Sequence, residues 1–216
     1  MNVDFYGYNL EHDENCFTPT TISRETAIRV PVQGKEVLDL GCGIGPLCIY
    51  FAKHGAKKVT ATDIHEPHVI YTLKNSVNNN VNIDVVQGNL FENITETFDV
   101  ICCDVSGVDR RVAEITGWFP EGVPTADETG ADIICRAIED SPSYLKDDGE
   151  MYICTTTFSD MDKILEKMNG EEELVYDVDI PFSKRLLANI DNLDPNSYKS
   201  KGHRYYWNFA LWKMNR

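Results

Sequence analysis

No apolar run in this chain approaches the roughly 18 residues that a bilayer-spanning helix needs. Its opening, MNVDFYGYNLEHDEN, has neither a basic n-region nor an apolar h-region. The expectation is a cytoplasmic protein with no membrane partner. Basic residues are scarce as well: 20 Lys and Arg stand against 35 Asp and Glu, for a net charge of -15. Contacts to a polyanion come from clustered Lys and Arg, so this balance works against a nucleic-acid partner. Acidity that only aids solubility is the plainer reading. No Cys-x-x-Cys and no Cys/His metal spacing occurs among Cys16, Cys42, Cys48, Cys102, Cys103, Cys135 and Cys154, which leaves them as reduced core residues and no metal site in view. No low-complexity linker divides the 216 residues, so 1–216 reads as one domain.

Against those absences, 42% hydrophobic and 25% charged residues are ordinary for a chain that folds. Short β-rich runs alternate with helix-length amphipathic stretches, the pattern of crossover helices covering a mostly parallel sheet. The strands expected are 36–40, 58–63, 83–87, 98–104, 149–155, about 173–180 and 204–213. Between them GPLCIYFAKHG closes on Gly55 like a glycine C-cap, and PHVIYTLKNSVNNN opens with Pro67, where a first helical turn tolerates proline. DETGADIICRAIEDSPSYL and SDMDKILEKMNG read as two further helices. Three stretches stand outside this rhythm: an N-terminal lid or helical segment within 1–30, a long loop over 105–128 expected to meet substrate, and 181–203 between the last two strands.

The stretch VLDLGCGIGPL carries the strongest chemical signal. Gly41, Gly43 and Gly45 fall where the first strand hands over to the first helix, a place where backbone approaches ligand with no Cβ in the way. A dinucleotide fingerprint would put glycine at the sixth position, which is Pro46, and a Walker loop would need Gly-Lys-Ser/Thr. Both are excluded. What remains is Asp39 directly before the glycines and Asp63 ending the next strand, 24 residues on, a spacing that suits a carboxylate on ribose hydroxyls. The ligand implied is a nucleoside without phosphates, with Asp39 available to a cationic amine.

VLDLGCGIGPL, VTATDI, VVQGNLFEN and FDVICCD, in that order, resemble the successive motifs of class I S-adenosylmethionine-dependent methyltransferases. The resemblance implies a Rossmann-like α/β fold, a seven-stranded mostly parallel sheet with an antiparallel last strand, and S-adenosylmethionine as donor with S-adenosylhomocysteine as product. It puts Asp39 near the methionine amino group and the backbone of Gly41, Cys42, Gly43 and Gly45 along the methionine portion. Asp63 would hold the ribose, Ile64 would lie on the adenine, and Asn89 and Leu90 would face the adenine edge. The family usually has Asp at the position of Asn89.

Within the class, CFTPTT, GNLFEN and the helix before EMYI are similar to the release-factor glutamine methyltransferase branch. That branch carries Asn-Pro-Pro-Tyr after its fourth strand, where this chain has Asp104, Val105, Ser106 and Gly107. An ionised Asp only accepts hydrogen bonds, so Asp104 suits an acceptor that offers N–H, O–H or positive charge. Asp104 is the candidate catalytic residue and a donor-site neighbour; a loop cap is its structural alternative. Phe17, Ser106, Gly107 and Trp118 are the candidate substrate contacts, with Pro19 and Thr20 beside Phe17 in a lid and Phe119 beside Trp118 in an aromatic wall or anchor. Arg110 and Arg111 read as a solvated pair before a carboxylate fork. His65 and His68 read as exposed at a helix start, with no third ligand to make a metal pair. The acceptor expected is a small molecule, an amino-acid-like compound or a peptide, methylated on nitrogen before oxygen. Protein methylation of the translation-factor type and a non-catalytic nucleoside-binding or scaffold role stay open.

Overall fold

The computed structural model describes residues 1–120, 122–123, 127–170 and 172–216. In chain order its elements are β1 (Asn2–Phe5), β2 (Tyr8–Glu11), α1 (Thr21–Ala27), β3 (Glu36–Leu40), α2 (Pro46–Lys53), β4 (Lys58–Asp63), α3 (Glu66–Asn78), β5 (Asp84–Gln87) and β6 (Phe98–Cys103). There follow α4 (Arg110–Thr116), α5 (Asp132–Asp140), β7 (Leu145–Thr156), α6 (Met161–Met168), β8 (Glu172–Pro181), α7 (Lys184–Ala188), β9 (Lys199–Lys201) and β10 (Arg204–Asn215).

The main sheet runs β5-β4-β3-β6-β7-β10-β8, with β9 paired to β10. The pairs β5/β4, β4/β3, β3/β6 and β6/β7 are parallel, and β10 runs antiparallel to both β7 and β8. The expected seven-stranded sheet with a reversed last strand is therefore found, with β9 as a short addition. Strand order reverses beside β3: the chain steps outward through β4 and β5, then crosses back to β6. Such a switch opens a crevice at the carboxyl ends of the strands.

Burial on both faces explains why the central strands are near-continuous apolar runs. Val37, Val100 and Cys102 point into one core, with Phe51, Phe209 and Leu211. Their neighbours Leu38, Ile101 and Cys103 point into the other, with Ile134, Met151 and Ile153. All seven cysteines are buried and unbridged, as the apolar runs around them implied. No helix among the described residues is long and apolar enough to cross a membrane.

Three sequence expectations need correction. The segment before β3 is not only a helical lid, because a β1–β2 hairpin precedes α1. The 105–128 stretch contains α4, capped by the Asp109 side chain on the Val112 amide, and its residues 121 and 124–126 lie outside the described set. The strand expected at 149–155 spans 145–156, since its N-terminal half gains a partner in β6 that local composition does not reveal.

Candidate active site

The glycine loop is a rigid cradle because its polar groups are spent on its neighbours. The amides of Gly41 and Cys42 both donate to Thr62 O at 2.9 Å, and the Gly43 amide donates to Asp63 Oδ2 at 2.8 Å. From α3, Thr72 Oγ1 donates to Gly43 O at 2.7 Å, and Asn75 Nδ2 donates to Ile44 O at 2.9 Å. Gly41 has φ +78°, and a Cβ there would lie 3.0 Å from Val105 Cγ1 and 3.3 Å from the Asp104 carbonyl. At Gly43, φ +54°, a Cβ would enter open space. The loop thus packs tightly on the strand after β6 and leaves its other side clear for a ligand.

That clear side is a crevice of about 270 Å³ lined by Gly41, Gly43, Asp63, Ile64, Asn89, Leu90 and Asp104, among others. Seven of the ten donor-site candidates therefore meet in one place. Ile64 is 48% exposed on its wall, an apolar side chain free to lie on a planar ring. Asp39, Cys42 and Gly45 do not line it. Asp39 is fully buried behind the loop, where Oδ2 accepts the Cys48 amide at 3.0 Å and Oδ1 has no hydrogen-bond partner. The direct contact expected of it gives way to a carboxylate one layer back.

A second chamber, of about 350 Å³, adjoins the first. Its walls include Ile22, Ser23, Trp118, Cys154, Ile180 and Trp207 together with Gly107. Phe17, Asp104, Val105, Ser106 and Phe119 line both spaces. The Phe17 and Phe119 rings stack at 5.2 Å and 24°, forming an aromatic partition. All four candidate substrate contacts, Phe17, Ser106, Gly107 and Trp118, face this chamber. Trp118 also packs on Trp207 and Phe158, so it is wall and anchor at once.

Asp104 stands at the junction. Among the described residues it caps nothing in its own loop; its Oδ2 accepts the Ser23 hydroxyl at 3.1 Å, a partner from α1. Burial pushes its carboxyl up to about 6, against the lowering pull of Ser23 and Cys154. Asp39 is pushed up to about 8 by burial first and by the nearby Asp104 charge second. Asp63 and Asp104, at the ends of β4 and β6, thus place carboxyl groups where a sulfonium and an ammonium would lie, while Asp39 behind them is mostly protonated at neutral pH. These features fit the donor implied by the motifs: an orphaned buried carboxylate oxygen, an open glycine cradle and an apolar plate.

Two other expectations resolve differently. Arg110 is exposed, pairs with Glu128 at 2.5 Å, and lines neither chamber, as does Arg111, so the solvated reading holds. His68 is not exposed: it is 4% accessible and lines the first crevice. Residues 12–17 pack over the start of α3 and cover it. Sequence reasoning also missed Ser23, Trp207, Ile180 and Arg136, which reach the two chambers from α1, β10, β8 and α5. For Ser23 the capping pattern after Pro19 was a usable signal; for the others no local signal exists.

Comparison with known proteins bears on the family and the fold. The methyltransferase small domain family matches residues 19–104. A Methanocaldococcus jannaschii protein named for protein N5-glutamine methyl transfer is 30% identical over 167 residues, covering 74% of this chain and 83% of its own. A release factor glutamine methyltransferase of Streptococcus pneumoniae is 31% identical over 161 residues, 70% of this chain and 58% of its own. Among solved structures, the T. thermophilus 16S rRNA N2 G1207 methyltransferase in complex with AdoMet and guanosine superimposes with a TM-score of 0.63 at 18% identity, over 100% of this chain and 50% of that one. A ribosomal protein L11 methylase from Lactobacillus delbrueckii gives 0.56 at 18%, over 90% and 77%. At those identities the structures speak for the fold alone. Relatives named for ribosomal RNA methylation also match, so the expectation against nucleic acid, drawn from net charge, is not supported.

Proposed function

The chain belongs to the class I S-adenosylmethionine-dependent methyltransferases of the methyltransferase small domain family, and from that premise we propose that it methylates nitrogen on a small molecule, an amino-acid-like compound or a peptide side chain. The observation that carries this reading is Asp104. It is the one residue of Asp, Glu, Lys, Arg or His type among the described walls of the second chamber, and it is shared with the first. A chamber of Phe17, Trp118, Phe119 and Trp207 around Asp104, the one carboxylate among its described walls, suits an amine or a neutral N–H group and penalises an anion, which would be desolvated there with no cation among those walls to pair it.

When bound, S-adenosylmethionine supplies an electrophilic methyl group on sulfonium. Gly41, Gly43, Asp63, Ile64, Asn89 and Leu90 would hold that donor, with the Asp39 carboxyl one layer behind the loop. Asp104 accepts a hydrogen bond from the acceptor N–H, which aims the nitrogen lone pair at the methyl carbon, and takes the proton that the alkylated nitrogen sheds. A carboxyl near 6 is mostly ionised at neutral pH yet basic enough to share that proton. Phe17 and Phe119 close the junction against water.

Protein methylation is the second reading, favoured by the names of relatives at or above 30% identity, two of them glutamine methyltransferases. The residues after β6 count against an amide acceptor gripped in that branch's manner, since Asp104 cannot donate to a carbonyl as Asn does. Residence in the cytoplasm and a single domain over 1–216 belong to the same proposal. Radiolabelled donor, offered with separate pools of amines, amides, peptides and RNA, tests it. Label entering amines or N–H heterocycles supports the reading, and label confined to RNA or to glutamine amides overturns it.

A further inference from the structure

The two histidines at the start of α3 have no role in the scheme above, yet both are engaged. His65 Nε2 lies 3.2 Å from the Asn15 carbonyl, to which it donates. His68 Nε2 accepts the Phe17 amide at 3.0 Å. Their rings meet edge to face at 4.7 Å. Together they pin residues 15 and 17, the end of the strap that carries the Phe17 ring into the partition between the chambers.

An amide can only donate, so the Phe17 contact fixes His68 Nε2 as the acceptor and leaves the ring proton on Nδ1. That Nδ1 is buried and stands 3.2 Å from Asp63 Oδ1, close but not aligned for a full hydrogen bond. Asp63 Oδ1 is already accepting the His65 amide at 2.9 Å, and Oδ2 the Gly43 amide. One imidazole therefore touches the acid at the donor's ribose seat on one side and the backbone of the partition on the other.

We propose that His68 is a positioning residue that couples the two chambers: a donor seated on Asp63 turns that carboxylate into line with His68 Nδ1–H, and the firmer imidazole holds Phe17 closed over the junction. The acceptor chamber is then completed by its aromatic partition only when the donor is in place, so donor binds first. This coupling rests on the assignment of Asp63 to the ribose.

The substitutions separate the two contacts. His68→Asn keeps a donor near the position of Nδ1, His68→Gln keeps an acceptor near that of Nε2, and His68→Ala keeps neither. The full chain is titrated with S-adenosylhomocysteine by calorimetry, amide exchange at Phe17 is followed by NMR with and without it, and imidazole ¹⁵N shifts report the tautomer. In the parent, His68 is expected in the Nδ1–H form, and the ligand slows exchange at Phe17 about tenfold or more. His68→Ala loses that slowing and binds the product roughly tenfold more weakly; His68→Gln regains part of the slowing and His68→Asn does not. Thermal midpoints and exchange at the β6 amides check the fold, and should the Ala variant not fold, the parent's tautomer and exchange decide. A parent that does not bind the product overturns the ribose assignment and the coupling with it. A parent that binds without slowing Phe17, or an Nε2–H tautomer, or a folded Ala variant with unchanged slowing, overturns the coupling alone.

Discussion

The two chambers that meet at Asp104 are built from different material. The first is floored by main chain: Gly41, Gly43 and Gly88 beside the ends of β3 and β4, tied down by amide hydrogen bonds to Thr62 and Asp63 and by Thr72 and Asn75 from α3. The second is largely side chain: Phe17, Ile22, Trp118, Phe119, Ile180 and Trp207, delivered by the strap before α1, α1 itself, the loop after α4, β8 and β10. Backbone cannot be exchanged one residue at a time, whereas a ring can. The contrast teaches that the fold commits the protein to its donor and leaves the acceptor to be chosen by a few substitutions.

The largest effect should come where the chambers join. Asp104→Asn removes the proton acceptor while keeping shape, and turnover on the identified acceptor should fall on the order of 10²- to 10³-fold. Product affinity, measured by calorimetry, should move by less than about threefold; an equal loss in both would make Asp104 a donor residue only. Next, Asp63→Ala should weaken donor binding roughly 10- to 100-fold, since it removes charged hydrogen bonds to the ligand and the tether of the Gly43 amide. Unchanged affinity there would place the ribose elsewhere.

Gly41→Ala sharpens the comparison further, because it adds one methyl to the main-chain wall. With φ +78° and Val105 Cγ1 at 3.0 Å, it should cost about 1–2 kcal/mol of stability and several-fold in donor affinity. Trp118→Leu removes a whole ring from the opposite wall, yet should change only acceptor KM, by about three- to tenfold, with donor affinity within about twofold. If the ring matters to the donor and the methyl does not, the division between the chambers is false.

The smallest effect is a pH dependence. Asp104 is pushed up to about 6 and Asp39 up to about 8, above the unfolded carboxyl near 4. Between about pH 4 and 8 the folded chain holds protons that the unfolded chain has released, so stability falls as pH rises. Glu36 and Asp179, held at about 2 by Lys146 and Lys201, give the opposite slope only below about pH 4. The ligand-free melting midpoint should drop on the order of 5 °C between about pH 5.5 and 8. S-adenosylmethionine, bringing positive charge to the acids, should reduce that drop.

The first chamber was legible in the sequence because it is local. Asp39 to Gly45 is one stretch, and the next strand ends in Asp63 at a spacing set by one crossover helix. The mostly parallel sheet followed from the same alternation, and the reversed β10 from the family resemblance. The second chamber was not legible beyond Phe17, Ser106, Gly107 and Trp118. Ser23 meets Asp104 across 81 residues, and Trp207 reaches the wall because β10 inserts between β7 and β8. Local pattern cannot report either. His68 was misread for the same reason: a helix start with Pro67 looks exposed until a strap from 50 residues earlier lies over it. Asp39 was misjudged by one layer, since adjacency to the glycines does not say which side of the loop a carboxylate takes.

A crystal structure of the full chain with S-adenosylhomocysteine tests the central claim most directly. The account predicts the ribose on Asp63, the adenine against Ile64, and the sulfur facing Asp104 at the opening into the aromatic chamber. A ligand bound elsewhere, or one whose sulfur is walled off from that chamber, would contradict it.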